Sequence, residues 1–199
     1  MVVRGRSRIL LEMSVIAGAV LAAGSGTRMG RPKADLVVDG QRLLDRAVVI
    51  LRDAGCDPVI AVVRDGTTAD GAMAVVNPDP SRGQRSSLEL AVAAGESADA
   101  IAILLVDVPG IGVDAVRTVI RAWRPGRITV ARYGAVRGHP TVMAPGLWHE
   151  ALELAGPDEG ARSLLKARAD QVDEIEVSGD PVDLDTPADL ARWSDITNR

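Results

Sequence analysis

Apolar and polar positions along the chain change period in a regular succession. Residues 15–23 are almost wholly apolar, as in a strand buried on both faces of a parallel sheet. Asp39-Gly40 reads as a turn, and Leu44, Ala47, Val48 and Leu51 then repeat at helical spacing until Gly55 stops them. A strand is expected at 59–63 and a short apolar segment at 73–76, closed by Asn77-Pro78-Asp79-Pro80, which cannot continue as a regular element. Leu88, Ala91 and Val92 mark a helix ending near Gly95, and 101–106 is a run with no polar residue, a central strand. Val113, Val116, Ile120 and Trp123 return to helical spacing. Residues 128–131 suggest a strand and 141–143 a short edge piece. Leu147, Ala151 and Leu154 share one helical face, and Leu164 and Leu165 lie on another. A strand over 172–177 and a last helix, capped by Thr186 with Pro187 first and Asp189 third, complete the pattern.

Strands alternating with helices through short connections predict a three-layer α/β/α, Rossmann-like domain with a mainly parallel sheet. In such sheets ligands sit outside the carboxyl ends of the strands. The chain of 199 residues, 47% hydrophobic, is long enough for one substantial core, so a single domain is expected over 13–199. Residues 1–12 are expected to be a disordered extension: Arg4, Arg6 and Arg8 imitate a signal peptide, but Glu12 interrupts the apolar region and cleavage near Ala23 would remove the first strand.

Charge and composition narrow the partners. The net charge of −4 and the absence of a basic block argue against nucleic acid and membrane surfaces, and no stretch reaches the roughly 20 apolar residues of a membrane span. Aromatic side chains for base stacking are few. Cys56 is the chain's one cysteine, which excludes an internal disulfide and a cysteine-based zinc cluster and fits a reducing cytoplasm.

The first strand runs into a loop rich in glycine, Gly24-Ser-Gly-Thr-Arg-Met-Gly30, followed by Arg31-Pro-Lys33. Gly24, Gly26 and Gly30 permit positive φ angles and close approach, so that N–H groups turn inward around phosphate oxygens. The chain has only two lysines, Lys33 and Lys166, and the other twenty-one of its 23 basic residues are arginines. Lys33 therefore stands out as a point contact for a phosphate, with Arg28 as a second cation. Neither familiar phosphate pattern fits. Gly30 is followed by Arg-Pro-Lys-Ala rather than Lys-Ser/Thr, and the glycines are spaced G-x-G-x-x-x-G, one residue too long for the dinucleotide fingerprint.

Asp107 follows the central strand, where a carboxylate faces the ligand crevice. Phosphates at the loop call for Mg²⁺, which favours one or two carboxylates with phosphate oxygens and water, so Asp107 is the first candidate ligand. A turn-forming aspartate before Pro109 is the plainer alternative. Asp183 and Asp185 fall on one side of an extended segment, and Asp185 is the preferred second ligand, with helix-end electrostatics as its alternative.

The motif Leu21-Ala-Ala-Gly24 with Arg28, Met29, Gly30 and Lys33 resembles the signature of the nucleotidyltransferases that activate the molybdenum cofactor. Val106-Asp-Val-Pro109, Asp183-Leu-Asp-Thr-Pro187, Gly83-Gln-Arg-Ser-Ser-Leu88, Gly138-His-Pro140 and Glu159-Gly-Ala-Arg162 stand in the family's order. Val108 departs from it, where many relatives carry Gln, as does Val106 in place of Gly. The resemblance implies an Mg²⁺-dependent enzyme moving a nucleotide monophosphate from NTP to the terminal phosphate of molybdopterin, with release of pyrophosphate. It further implies a nucleotide site of Leu21, Ala22, Ala23, Gly24, Ser25, Gly26, Thr27, Arg28, Lys33, Gly83, Ser86 and Ser87. The catalytic residues it implies are Arg28, Lys33 and Asp107, the metal ligands Asp107 and Asp185. Ser86 and Ser87 either touch ribose or base or simply cap a helix. His139 and Arg162 either face the acceptor or lie on the surface. Ala at position 23 resembles the cytidylyl more than the guanylyl branch, which favours CTP over GTP. A molybdoenzyme is the implied transient partner. Transfer to a sugar or alcohol phosphate, and a non-catalytic carrier of molybdenum cofactor, remain the alternatives.

Overall fold

The computed structural model describes residues 14–156 and 159–197, with side chains up to residue 193, so the expected extension at 1–12 lies outside the described residues. Strand β1 (Ile16–Leu21) leads through the glycine loop to a small hairpin of β2 (Val37–Val38) and β3 (Gln41–Arg42). Asp39 and Gly40 join the two at φ values of 52° and 76°, both positive as in the primed turns that match strand twist. Helix α1 (Leu43–Ala54) stops at Gly55, whose φ of 105° is open to glycine and costly to other residues. Strands β4 (Val59–Val63) and β5 (Met73–Val76), helix α2 (Gln84–Ala94), β6 (Ala100–Leu105) and α3 (Val113–Ala122) follow. The chain continues through β7 (Ile128–Tyr133), β8 (Val136–Met143), α4 (Pro145–Leu154), α5 (Arg162–Ala167), β9 (Val172–Glu176) and α6 (Pro187–Thr197).

Seven strands form one sheet in the order β5-β4-β1-β6-β8-β7-β9. The pairings from β5 through β6 are parallel, as is β7 with β9, whereas β8 runs antiparallel to both its neighbours. The four strands β1, β4, β6 and β7 carry nearly continuous buried runs, as strands covered on both faces must. One apolar layer gathers α1 and α3 around Leu44, Val48, Leu51, Val116 and Ile120. The opposite layer gathers α2, α4 and α5 around Leu88, Val92, Trp148, Ala151 and Leu164.

The expected three-layer α/β fold is thus observed, with one correction. Residues 141–143 are the end of an eight-residue strand lying inside the sheet, between β6 and β7. The first half of β8 (Val136, Arg137, Gly138, His139) is exposed or partly so, and its polar and glycine positions carry no strand signal. Cross-strand pairing from Ala131–Gly138 to Tyr133–Val136 holds it there. The last helix carries the anticipated cap: Asp189 N–H donates to Thr186 Oγ1 at 3.3 Å while Thr186 N–H donates to Asp189 Oδ2 at 2.8 Å.

Candidate active site

The carboxyl ends of β1 and β6 open on a cavity of about 380 Å³. On one side stands the glycine loop. Gly26 (φ 63°) and Gly30 (φ 78°) take left-handed conformations around a short 3-10 turn, with Met29 N–H donating to the Gly26 carbonyl and Gly30 N–H to Thr27. At Gly26 a Cβ would lie 1.9 Å from the Arg31 carbonyl oxygen, so the loop closes on itself only with glycine there. Gly24 differs from expectation: its φ is not positive, and a Cβ there would meet nothing in the protein. What Gly24 leaves open is space toward the cavity.

Leu21, Ala23, Gly24, Ser25, Gly26, Thr27, Arg28, Lys33, Gly83, Ser87, Asp107 and Asp185 all line this cavity. Two residues expected beside them do not. Strand alternation turns Ala22, 2% exposed, into the layer of α1 and α3. Ser86, 4% exposed, faces inward and donates its hydroxyl to the Gly83 carbonyl at 2.9 Å.

Lys33 is at the centre of the charge arrangement. Its Nζ donates to Asp107 Oδ2 at 2.6 Å and to Asp185 Oδ1 at 2.5 Å, while Arg28 Nη1 lies 3.0 Å from Asp185 Oδ2. Burial works to lower the Lys33 pKa, but the two hydrogen-bonded carboxylates outweigh it and hold the ammonium above its ordinary value. The Lys33 hydrogen bond, helped by its charge and that of Arg28, holds the Asp185 carboxyl below the usual carboxylate range. Asp183 joins them, and one ligand atom from each of Asp107, Asp183 and Asp185 lies within 4.8 Å of the others. That donor set fits a hard divalent cation, and the Lys33 ammonium already supplies positive charge between two of its members.

The three carboxylates meet because the segment before α6 returns to the end of β6. Leu184 N–H donates to the Asp107 carbonyl at 2.8 Å, and Asp180 N–H to the Gly110 carbonyl at 3.1 Å. Leu184 between the two aspartates is buried at 2% exposure, so extended alternation turns both carboxylates outward to the site. A Cβ on Gly110 would lie 2.5 Å from the Asp180 carbonyl oxygen, which makes glycine a requirement of that docking.

A second cavity of about 490 Å³ adjoins the first and shares Leu21, Gln84 and Leu105 with it. His139, Arg162, Val108, Lys166 and Asp183 are in its walls, so His139 and Arg162 share one cavity, apart from the glycine loop. His139 Nδ1 sits 3.2 Å from the Ile103 carbonyl, and burial pushes its imidazole below the ordinary histidine value. His149, by contrast, pairs with Glu96 on a helix surface, and Cys56 is buried with its thiol pushed up to about 12. Asn77 at the carboxyl end of β5 is 3% exposed and donates from Nδ2 to Ser86 Oγ at 2.9 Å and to Ser87 Oγ at 3.0 Å; the sequence signal for it is a polar residue closing a strand.

A glycine loop and a carboxylate cluster brought together at the carboxyl ends of an α/β sheet point to a nucleotide-handling enzyme. Comparison gives the family: residues 18–172 match the MobA-like NTP transferase domain, and the chain belongs to that family of nucleotidyltransferases. It is 34% identical to nicotine blue oxidoreductase of Paenarthrobacter nicotinovorans, over 91% of this chain and 97% of that one. It is 40% identical to a probable molybdenum cofactor guanylyltransferase of Opitutus terrae, over 60% of this chain and 61% of that protein. Among solved structures, Rv0371c of Mycobacterium tuberculosis H37Rv superposes with a TM-score of 0.79 at 29% identity, covering 92% of this chain and 98% of that one. Its complex with manganese superposes at 0.75 and 30% identity, over 90% and 98% of the two chains. No helix among the described residues is long and apolar enough to cross a membrane.

Proposed function

We propose that residues 13–199 form a single catalytic domain that transfers CMP from CTP to the terminal phosphate of molybdopterin or molybdenum cofactor. One observation carries the reading: Asp107, Asp183 and Asp185 converge beside Lys33 and Arg28, at the cavity that the glycine loop lines. The loop N–H groups, Arg28 and Lys33 bind the triphosphate and hold its α-phosphorus in line with the acceptor. An acceptor phosphate oxygen forms the new P–O bond as the bond to the bridging oxygen breaks, and pyrophosphate leaves with that electron pair. No protein nucleophile is needed. Asp107 and Asp185, with Asp183, would hold Mg²⁺, whose role when bound is to neutralise charge developing around the α-phosphate. His139 and Arg162 on the second cavity serve the acceptor. Ala23 supports CTP, whereas the name of the Opitutus relative speaks for GTP. Transient contact with a recipient molybdoenzyme and a cytoplasmic location belong to the same reading.

The test is pyrophosphate release with Mg²⁺, comparing CTP, GTP and ATP in the presence of molybdenum-bearing molybdopterin, with Asp107→Ala as control. Turnover with CTP, lost in the control, is expected; turnover with GTP alone would replace CMP by GMP. Release only with a sugar or alcohol phosphate would move the acceptor. Binding of finished cofactor without turnover, undisturbed in the control, would make the protein a carrier. The relative named an oxidoreductase supplies a second reading, redox chemistry on a heteroaromatic substrate. NAD(P)H oxidation independent of NTP, surviving Asp107→Ala, would favour it.

A further inference from the structure

Besides the glycine loop, the nucleotide cavity is walled by Pro80, Gly83, Gln84 and Ser87. Behind that wall lies Asn77, 3% exposed, whose N–H ends β5 by donating to the Val63 carbonyl at 2.8 Å. Asp79 N–H donates to Asn77 Oδ1 at 3.0 Å, a bond only an oxygen can accept. The amide is therefore fixed in one orientation, with Nδ2 donating to Ser86 Oγ at 2.9 Å and Ser87 Oγ at 3.0 Å. An amide nitrogen only donates, so each serine oxygen accepts from Asn77 and must place its own proton elsewhere. Ser86 places its proton on the Gly83 carbonyl. Among the described residues the Ser87 hydroxyl makes no such bond, and Ser87, unlike Ser86, lines the cavity.

We propose that Asn77 is a positioning residue that occupies a lone pair of Ser87 and so fixes the Ser87 hydroxyl as a hydrogen-bond donor to a nucleoside oxygen, a base carbonyl or ribose hydroxyl. The inference rests on the nucleotide reading above and adds a polarity to this wall. A nucleoside oxygen is accepted at Ser87, whereas an amino group brought there meets another donor and is disfavoured.

Asn77→Asp tests it at nearly constant shape. The carboxylate still accepts from Asp79 N–H, but its second oxygen takes the Ser87 proton and withdraws it from the ligand. Equilibrium titration with CTP and GTP is expected to show a dissociation constant raised about tenfold, as in Ser87→Ala, with the loss in turnover falling on KM rather than kcat. Two further results separate this from charge repulsion and from simple structural support. The double variant Asn77→Asp/Ser87→Ala is expected to bind no more weakly than Ser87→Ala alone, because the lost donor is counted once. Asn77→Ala, which leaves Ser87 free to rotate and donate, is expected to bind nucleotide better than Asn77→Asp, the reverse of what a packing role gives.

A double variant weaker than Ser87→Ala by the full Asn77→Asp factor overturns the proposal, as does wild-type affinity in Asn77→Asp. Should Asn77→Asp fail to fold, wild-type affinity in Ser87→Ala overturns it independently. A wild-type protein that binds no NTP removes the nucleotide reading itself, and this inference with it.

Discussion

Lys33→Met, which keeps the apolar stem and deletes the ammonium, probes the centre of the site directly. In the wild type one nitrogen serves two carboxylates at 2.6 and 2.5 Å, and the side chains of Lys33, Asp107 and Asp185 are 16%, 17% and 26% exposed. These pairs lie between exposed ones, worth at most about 1 kcal/mol, and buried ones, whose disruption costs about 3–5 kcal/mol. A loss of about 2 kcal/mol follows at neutral pH without divalent metal. For a chain of this size that lowers Tm by about 4–8 °C. The pH window follows from both partners. The raised Lys33 pKa gives stability that is complete below the ordinary lysine value, about 10.4, and lost as pH rises through the folded value. The lowered Asp185 pKa gives stability present above its ordinary value, about 3.9, and lost as pH falls through the folded one. Wild type and variant should therefore differ most between about pH 5 and 9 and converge in acid. Added Mn²⁺ reverses the ranking of responses: the variant's carboxylates accept the cation without displacing an ammonium, so its Tm should rise more than that of the wild type. Calorimetry at several pH values, with and without Mn²⁺, makes the measurement. Equal stability at neutral pH, or an equal response to Mn²⁺, would refute the reasoning.

Gly26→Ala should lower kcat/KM about 100-fold through a displaced loop, because its Cβ meets the Arg31 carbonyl oxygen at 1.9 Å; Gly24→Ala should fold unperturbed, and circular dichroism with steady-state kinetics checks both. Gly110→Ala should weaken Mn²⁺ binding about tenfold without removing a ligand, by pushing Asp180 and the aspartates behind it from the end of β6. Titration by Mn²⁺ paramagnetic resonance reads this, and unchanged affinity would show that the segment docks independently of Gly110. The Cys56 thiol, buried and pushed up to about 12, should react with a disulfide reagent at mildly alkaline pH only as fast as the protein unfolds. Faster labelling of the native protein would contradict its burial.

Periodicity was sufficient for the elements whose faces differ in polarity. Helix α1 ends at Gly55 as its pattern requires, and β6 is the central apolar run. The first half of β8 escaped because Val136, Arg137, Gly138 and His139 owe their extended form to pairing with β7, a contact no local pattern encodes. The glycine loop, Lys33, Asp107 and Asp185 were legible as residue types at strand ends. Asp183 was visible as the alternate partner of Asp185, but its place in the carboxylate group depends on Leu184 binding the Asp107 carbonyl, a contact between segments far apart in the chain. Ser86 and Ser87 were indistinguishable as neighbours; helix geometry alone turns one inward and the other to the cavity.

The return of residues 180–185 to the end of β6 also sets when the site comes into being. Chains emerge from the ribosome from the amino terminus and fold progressively. A nascent chain that has reached β9 possesses every strand of the sheet and the whole glycine loop, yet of the three carboxylates it holds Asp107 alone, with Lys33 as its partner. Asp183 and Asp185 arrive only after the last strand of the sheet has been made. A chain released after residue 177 should keep its sheet and bind Mn²⁺ no better than a single carboxylate allows. Molecules that stop there would be assembled but inert, and chemical competence would be conferred by the segment that follows the sheet.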